Sequence, residues 1–257
     1  MTIKRFDPSA YRGPLLNFPE GQLVRFIIHE AGTLYTFFNF VVEPAIGPPP
    51  RRGWDYLFCT EIPRRDLGLR PGQPGDIDVL IIPKFNGEPR VEFAAAIEVK
   101  RLALRGPNWS KNVDRYGITQ ASGLLRCGFP FVGILHLIVN ADGPEDNWRP
   151  VMHARVLDEE GHVEFTGDGI FDFTGCEAAD RQFARLLSQG PDPVIGLNSV
   201  AVSLGEREGE LSFGTSEAPT RFASRNPKTH PHTLRNPQTF AGHMAPLAHL
   251  RNADARR

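Results

Sequence analysis

Alternating apolar and charged residues mark two neighbouring strands in the first half of the chain. The runs 76–85 and 91–100 are rich in Val, Ile and Ala, yet each carries a pair of charged residues. Side chains two residues apart on a strand point to the same face of a sheet. The pairs that share a face in this way are Asp76 with Asp78 and Glu98 with Lys100. The Asn86-Gly87 dipeptide between the two runs is typical of a hairpin, so we expect them to pair antiparallel.

Hydrophobic periodicity predicts further helices and strands on both sides of this pair. Apolar residues at mixed spacings of three and four predict a helix from residue 20 to between residues 30 and 34, and the aromatic run that follows favours a switch to a strand. An unbroken apolar run is typical of a strand buried on both faces. The remaining predicted elements are a strand at 54–62, a helix within 113–128, a buried strand at 129–140, strands near 151–157 and 162–166, and a helix at 176–189.

The order of helix, three strands, helix and buried strand predicts an α/β domain with a mixed sheet. The division that we predict along the chain is an irregular lead-in at 1–19, a core at 20–140, acidic flanking elements at 141–203 and a basic tail at 204–257. The flanking elements belong either to the same domain or to a small subdomain. The tail is rich in Gly, Pro, Ser and Thr, and its segment Arg225–Thr229 (RNPKT) recurs as RNPQT, which favours an extended or flexible arm.

Composition excludes several classes of protein. The chain has 257 residues, of which 40% are hydrophobic and 23% are charged, as in ordinary globular proteins. It contains no apolar run of the roughly 18 residues that a membrane span needs, and its first residues lack the apolar core of a secretory signal. Three dispersed cysteines indicate neither a disulfide framework nor a zinc site. We therefore expect a cytoplasmic protein with no membrane contact.

The net charge of −1 conceals a strong asymmetry along the chain. Residues 1–140 hold 17 Lys and Arg against 13 Asp and Glu, whereas residues 141–220 hold 5 against 16 and residues 221–257 hold 7 against 1. Such segregation of charge is compatible with a basic surface that contacts nucleic acid.

The pattern GDIDVL followed by IEVK resembles that of the PD-(D/E)xK nuclease superfamily, whose members share a restriction-endonuclease-like fold. The resemblance covers roughly residues 20–140. The sequence departs from the family pattern in one respect, because Asp78 follows Ile77 and the nearest upstream proline is Pro74. The resemblance implies a restriction-endonuclease-like mixed β-sheet flanked by helices, here with C-terminal additions and the extended basic tail.

The resemblance also implies roles for individual residues. Asp78 and Glu98 would bind Mg²⁺, for which Mn²⁺ could substitute, and Lys100 would lie beside the attacking water. Two carboxylates completed by water and phosphate oxygens suit Mg²⁺, and a bound cation can polarise the scissile phosphate. Gln120, four positions after Tyr116 on the next helix, is a further candidate for a catalytic residue. Glu30 is a candidate for an additional metal ligand. Asp76 and Tyr116 are candidates for residues that position the ligands. Glu61 is a weaker choice of ligand.

Basic residues on both sides of the charged strands could neutralise phosphates, which gives affinity without sequence information. The candidates for nucleic-acid binding are Arg64, Arg65, Arg70, Arg101, Arg105, Lys111 and Arg115. No recognition helix or zinc finger follows from the sequence.

These features predict a Mg²⁺-dependent nuclease that acts on DNA, with RNA as the other option. A nuclease of this class without a DNA-sequence-recognition domain favours an effector of a prokaryotic defence or repair system, in which an ATPase or sensor is the protein partner. A homodimer would be one route to double-strand cleavage. The first alternative is a nuclease-fold subunit that binds nucleic acid or assembles a complex without cutting. The second is an adaptor that docks a partner through the repeated tail segments. Surface pairing of Glu98 with Lys100, which is worth little energy, is the purely structural interpretation of the motif.

Overall fold

The structure of the chain is a computed structural model. The residues that it describes are 15–29, 34–47, 54–69, 76–106, 109, 116–141, 143–158, 162–207, 210–215 and 219–242. Four predicted site residues lie outside these ranges, namely Glu30, Arg70, Lys111 and Arg115. The lead-in at 1–14 and the end of the tail at 243–257 lie outside them as well.

Ten strands and five α-helices form the described part of the fold. The strands are β1 (Trp54–Ile62), β2 (Ile77–Phe85), β3 (Glu88–Pro89), β4 (Ala95–Leu104), β5 (Phe131–Asn140), β6 (Trp148–Val156), β7 (Val163–Asp172), β8 (Gly196–Arg207), β9 (Glu210–Thr215) and β10 (Thr220–Arg221). The helices are α1 (Glu20–His29), α2 (Leu34–Ile46), α3 (Ile118–Arg126), α4 (Thr174–Ser188) and α5 (Pro231–Ala241).

Eight strands form one mixed sheet in the order β1-β2-β4-β5-β8-β10, with β3 beside β2 and β9 beside β8. The β1/β2 and β2/β4 pairs are antiparallel, whereas β4/β5 and β5/β8 are parallel. The expectation of an α/β domain with a mixed sheet is therefore confirmed. The strands β6 and β7 pair with each other in a separate two-stranded sheet.

Helices cover both faces of the large sheet. On one face α1 and α2 pack against alternate strand residues such as Val79, Ile97 and Leu135. On the other face α3, α4 and α5 pack against the intervening residues, among them Leu80 and Ile134. Since β5 is buried on both faces, its continuous apolar run agrees with the prediction for 129–140.

The predicted switch to a strand after the first helix is wrong. The aromatic run forms α2, in which Phe37, Phe40 and Val41 are completely buried. Their spacing of three and four residues places them on one helical face against the sheet. Burial of this face outweighs the strand preference of aromatic and β-branched residues, which depends strongly on context.

The predicted pairing of the two charged strands is confirmed, but the connection between them is longer than a hairpin turn. The Asn86-Gly87 turn joins β2 to the short β3, and a 3₁₀ turn at Val91–Phe93 then leads into β4. As a result β4 begins at Ala95 and ends at Leu104, so Glu98 and Lys100 lie in its middle rather than at its end.

The prediction of an extended or flexible tail is wrong for those of its residues that the structure describes. The strand β8 continues to Arg207, and β9, β10 and α5 follow it. The first copy of the repeated segment is anchored by Asn226, whose side-chain amide donates to the carbonyl oxygens of Leu125 and Phe129 at 2.9 and 3.0 Å. The second copy lies within α5. Buried hydrogen bonds therefore order a segment whose composition suggests flexibility.

Two further predictions from the sequence concern membrane spans and disulfide bonds. No helix in the described ranges is long and apolar enough to cross a membrane. The three cysteines, all of which the structure describes, form no disulfide bond.

Candidate functional site

The site lies at a fork in the sheet where β4 extends beyond the start of β2. The described backbone pairs these strands only at Val79–Ile81 and Ala95–Ile97. The edge of β4 that follows is instead covered by two carboxylates, because the backbone N–H of Val99 donates to Asp78 Oδ2 and that of Arg101 donates to Glu20 Oε2, each at 2.7 Å. The fork thus brings acidic side chains from β2 and α1 to one edge of β4.

Three of the predicted residues meet at this fork. Asp78 and Glu98 lie on neighbouring strands and point to the α3 side of the sheet, as strand alternation predicts. Lys100 Nζ lies 2.6 Å from Glu98 Oε1 and 4.0 Å from Glu20 Oε1. The Glu98 side chain is only 3% exposed, whereas that of Lys100 is 18% exposed. The cluster therefore combines three carboxylates with one ammonium group.

The two buried carboxylates hold protons more strongly than ordinary ones. Burial and the neighbouring charge of Asp78 raise the pKa of Glu98 to about 7. Burial also raises the pKa of Asp78, although its hydrogen bond from Val99 and the charge of Lys100 oppose this. Two carboxyl groups at one low-dielectric site cannot both ionise cheaply, so the pair holds protons at pH values where surface carboxylates are bare.

Lys100 remains a cation at neutral pH. Burial on its own lowers the pKa of the Lys100 ammonium, but the hydrogen bond to Glu98 and the charges of Glu98, Glu20 and Asp78 outweigh it and raise the pKa overall. An ammonium group held in this way can stabilise negative charge or orient water, but it has no lone pair with which to act as a base.

A tight turn covers the cluster from the α3 side. Gly117, the residue before α3, has φ of 77°, and a Cβ at this position would lie 2.8 Å from Glu98 Cγ. His136 on β5 is fully buried beside Lys100, and its Nε2 lies 3.2 Å from the carbonyl oxygen of Tyr116. Because that carbonyl can only accept, Nε2 carries the proton. Burial lowers the pKa of His136 to about 4, so a neutral imidazole holds the turn in place.

The accessory residues are arranged differently from the prediction. Because α3 begins at Ile118, Gln120 lies in its first turn, and Tyr116 precedes the helix instead of lying on one face of it with Gln120. The Tyr116 ring stacks on His136 with centroids 6.3 Å apart, so it supports the turn over the site. Asp76 lies just before β2 and is exposed. Glu61 forms an ion pair with Arg25 and is not part of the cluster.

Few of the basic residues proposed for phosphate binding are suitably placed. Arg64 is only 6% exposed, so its expected role as a surface contact for DNA is not supported. Arg101 and Arg105 both donate to the carbonyl oxygen of Leu16, and Arg105 also donates to Asn17 Oδ1 at 2.9 Å. Arg65 is largely exposed and lies 3.6 Å from Asp66. The arginines after Lys100 therefore attach the N-terminal segment to β4.

Sequence reasoning missed three residues that shape the site. Glu20 contributes the third carboxylate, from the first turn of α1, whereas the sequence favoured Glu30 further along the same region. His136 interrupts an otherwise apolar strand, and a polar residue in such a run is a usable signal for a buried contact. Gly117 shows only as a glycine before a helix, and nothing in the sequence indicates which side chain it approaches.

The donor set at the fork suits a hard divalent cation. Within the described ranges, no group of three or more His, Cys, Asp and Glu side chains is arranged to hold a metal ion unaided. Mg²⁺ needs only one or two carboxylates, because water and substrate phosphate complete its octahedron. Asp78 and Glu98 supply two, and the cluster holds three carboxylates against the single ammonium group of Lys100. A divalent cation would relieve this excess, so the residues fit Mg²⁺.

Comparison of the chain with protein-family models, with curated proteins and with solved structures finds no match.

Proposed function

We propose that the chain is a Mg²⁺-dependent nuclease that hydrolyses phosphodiester bonds in DNA, with a restriction-endonuclease-like core. The observation that carries the proposal is the convergence of Asp78, Glu98 and Lys100 at the fork between β2 and β4, where Lys100 Nζ lies 2.6 Å from Glu98 Oε1. Buried carboxylates with raised pKa values beside a cation are typical of sites that do chemistry.

In this proposal Asp78 and Glu98 hold Mg²⁺, and Mn²⁺ can substitute for it. The bound cation supplies charge neutralisation at the scissile phosphate and makes water a stronger nucleophile. Lys100 contributes a fixed positive charge next to the phosphate, where negative charge develops in the transition state. The Gly117 turn and His136 keep the carboxylates and Lys100 in one arrangement. Gln120, in the first turn of α3, would contact the attacking water or the DNA backbone.

Substrate and partners extend this proposal. DNA is the expected substrate and RNA the other option, with Arg65 as the exposed basic residue in the described ranges that precedes the site. A nuclease without a base-reading module fits a prokaryotic defence or repair system in which an ATPase or sensor supplies the target. Cytoplasmic location belongs to the same proposal.

The test is cleavage of supercoiled plasmid and linear DNA by purified protein with Mg²⁺ or Mn²⁺. We expect Lys100→Ala to lower the rate by about 10²–10³-fold, since one preorganised charge at a transition state is worth this much. Lys84→Ala is a matched control, because Lys84 is also a partly buried strand lysine near a carboxylate, 3.8 Å from Asp55, but at the far end of β2. Equal rates for wild type and Lys100→Ala would contradict the proposal.

A second candidate is a nuclease-fold subunit that binds nucleic acid or assembles a complex without cutting. It is favoured by the hydrogen bonds that Asp78 and Glu20 accept from the β4 backbone, because these give both carboxylates a structural role. Metal titration separates the two candidates. Binding of Mn²⁺ that is lost on Asp78→Ala plus Glu98→Ala favours the nuclease, and binding that survives this change favours the inactive subunit.

A further inference from the structure

The two strands β6 and β7 form a ribbon with several hydrogen bonds to the body of the protein near its base. Asn147 Nδ2 donates to Thr174 Oγ1 at 3.0 Å, and Trp148 Nε1 donates to the carbonyl oxygen of Gly143 at 3.1 Å. At the end of β7, Asp172 accepts from the side chain of Asn140. Most of β7 is exposed.

One face of this ribbon carries most of its large exposed apolar side chains and is interrupted by the exposed carboxylate of Asp168. In the antiparallel register Pro150 lies opposite Ile170, and Met152 lies opposite Asp168. A register shift after His153 inserts an extra residue into β7. Because of this insertion, residues beyond the shift return to the same face. We call the resulting surface the ribbon face, and its large apolar side chains are Trp148, Met152, Val163, Phe165 and Ile170.

The ribbon face leaves an unusual amount of apolar surface in water. Met152, Ile170 and Phe165 are 71%, 70% and 66% exposed, and Val163 and Trp148 are 50% and 40% exposed. At roughly 150–250 Å² for a large side chain, these fractions add up to about 500 Å². A patch of this size is at the upper end for a monomer, where such patches are often functional.

We propose that the ribbon face is the interface of a homodimer, in which the ribbons of two copies of this chain pack face to face. In a two-fold symmetric dimer the same surface of each copy contacts its counterpart, so the ribbon face alone can form the whole interface. Packing of two such faces buries about 1,000 Å² in total, which is close to the minimum for a specific interface. The area therefore fits a weak, reversible dimer of roughly micromolar dissociation constant.

The distribution of charge around the ribbon face gives this dimer a distinctive response to salt. Residues 145–172 contain eight Asp and Glu against two Arg, so nucleic acid is an unsuitable occupant. Two copies of an acidic ribbon repel each other while their apolar faces attract. Salt screens the repulsion, so the dimer becomes stronger as the ionic strength rises. A basic protein on the same face would bind more weakly under those conditions.

Sedimentation equilibrium of the full chain from about 1 to 200 μM tests the proposal. We expect a monomer–dimer equilibrium whose dissociation constant decreases between 50 mM and 500 mM NaCl, as screening requires. Phe165→Lys and Ile170→Lys should each weaken association by at least about tenfold, the effect of losing one well-buried anchor. Leu187→Lys is the matched control, because it changes an exposed leucine on α4, and it should leave association unchanged.

Three results would overturn the proposal. They are a monomer over the whole concentration range, association that is as strong in both ribbon variants as in wild type, and association that weakens with salt. All three substituted side chains are exposed, so circular dichroism melts should match those of wild type and keep the comparison valid. The proposal does not depend on nuclease activity, because association is measured without DNA or metal.

Discussion

Replacement of the buried carboxyl group of Glu98 by an amide should change the pH dependence of stability. Burial and Asp78 raise the pKa of Glu98 from 4.5 to about 7. Between these values the folded protein keeps a proton that the unfolded chain has released, so the free energy of unfolding falls as the pH rises through this window. The loss reaches about 3 kcal/mol by pH 8. Glu98→Gln cannot ionise and does not suffer this loss.

Urea unfolding at pH 5, 6.5 and 8 in the presence of EDTA measures the effect. The free energy of unfolding of Glu98→Gln, relative to wild type, should increase by about 2.5 kcal/mol between pH 5 and pH 8, because wild type loses this stability and the variant does not. In thermal melts at pH 8 the same difference corresponds to a gain of roughly 6–10 °C. Comparison of the two proteins at each pH cancels the titration of groups that do not interact with Glu98, whereas the responses of Asp78 and Lys100, which do interact with it, are part of the measured difference.

Glu92→Gln is the control for this measurement. Its side chain is 36% exposed and pairs with Arg90, away from the fork. A surface substitution of this kind should change the free energy of unfolding by no more than about 0.5 kcal/mol at any pH. A difference between Glu98→Gln and wild type that stays constant from pH 5 to pH 8 would refute the electrostatic description of the site.

Three further predictions concern the surroundings of the cluster. Gly117→Ala should destabilise the protein by about 1–3 kcal/mol, since it combines a positive φ with a Cβ 2.8 Å from Glu98 Cγ, and urea unfolding measures this. In ¹H–¹⁵N NMR spectra His136 should be the neutral Nε2–H form and should titrate only near pH 4, where its pKa lies. Asn226→Ala should cost about 2 kcal/mol, because it removes the side-chain donor to the carbonyl oxygen of Leu125 and to the buried carbonyl oxygen of Phe129, and thermal melts would show it.

Matched residues provide the controls for these predictions. Gly87 also has a positive φ, but a Cβ there would meet nothing within 4 Å, so Gly87→Ala reports the backbone strain alone. Asn236 occupies the equivalent position in the second copy of the repeated segment, where its amide forms an exposed hydrogen bond with His232, and Asn236→Ala should cost little. An equal loss of stability in Gly117→Ala and Gly87→Ala, or in Asn226→Ala and Asn236→Ala, would contradict the corresponding prediction. A His136 that titrates near pH 6.5 would contradict its burial as a neutral imidazole.

Local sequence patterns were sufficient for the part of the site that lies on strands. Alternation placed Glu98 and Lys100 on one face, and the antiparallel pairing of β2 with β4 brought Asp78 to them. Such patterns depend on the two-residue period of a strand, which holds wherever the strand is regular. The order of elements likewise predicted a mixed α/β sheet, because it depends on chain direction rather than on individual contacts.

Features that depend on contacts between distant segments could not be predicted. The third carboxylate comes from Glu20 because α1 begins beside the β4 edge, and no local signal separates it from Glu30. The two RNP segments have similar sequences, yet of their two asparagines Asn226 is buried and Asn236 is not, since burial depends on which surface a segment meets. The glycine-rich region after residue 203 has a composition typical of loops, but pairing with β8 and contacts to the end of α3 order much of it.

Binding of Mn²⁺ to the purified chain, followed by electron paramagnetic resonance, tests the central claim most directly because it requires neither the correct DNA nor a partner. We expect saturable binding of one Mn²⁺ per chain at pH 7.5, weakened at least about tenfold in Asp78→Asn plus Glu98→Gln because the carboxylate ligands are lost. A double change of exposed carboxylates, Asp168→Asn plus Asp180→Asn, should leave binding intact. Absence of saturable binding in wild type, or equal binding after the Asp78 and Glu98 changes, would show that these two carboxylates do not form a metal site.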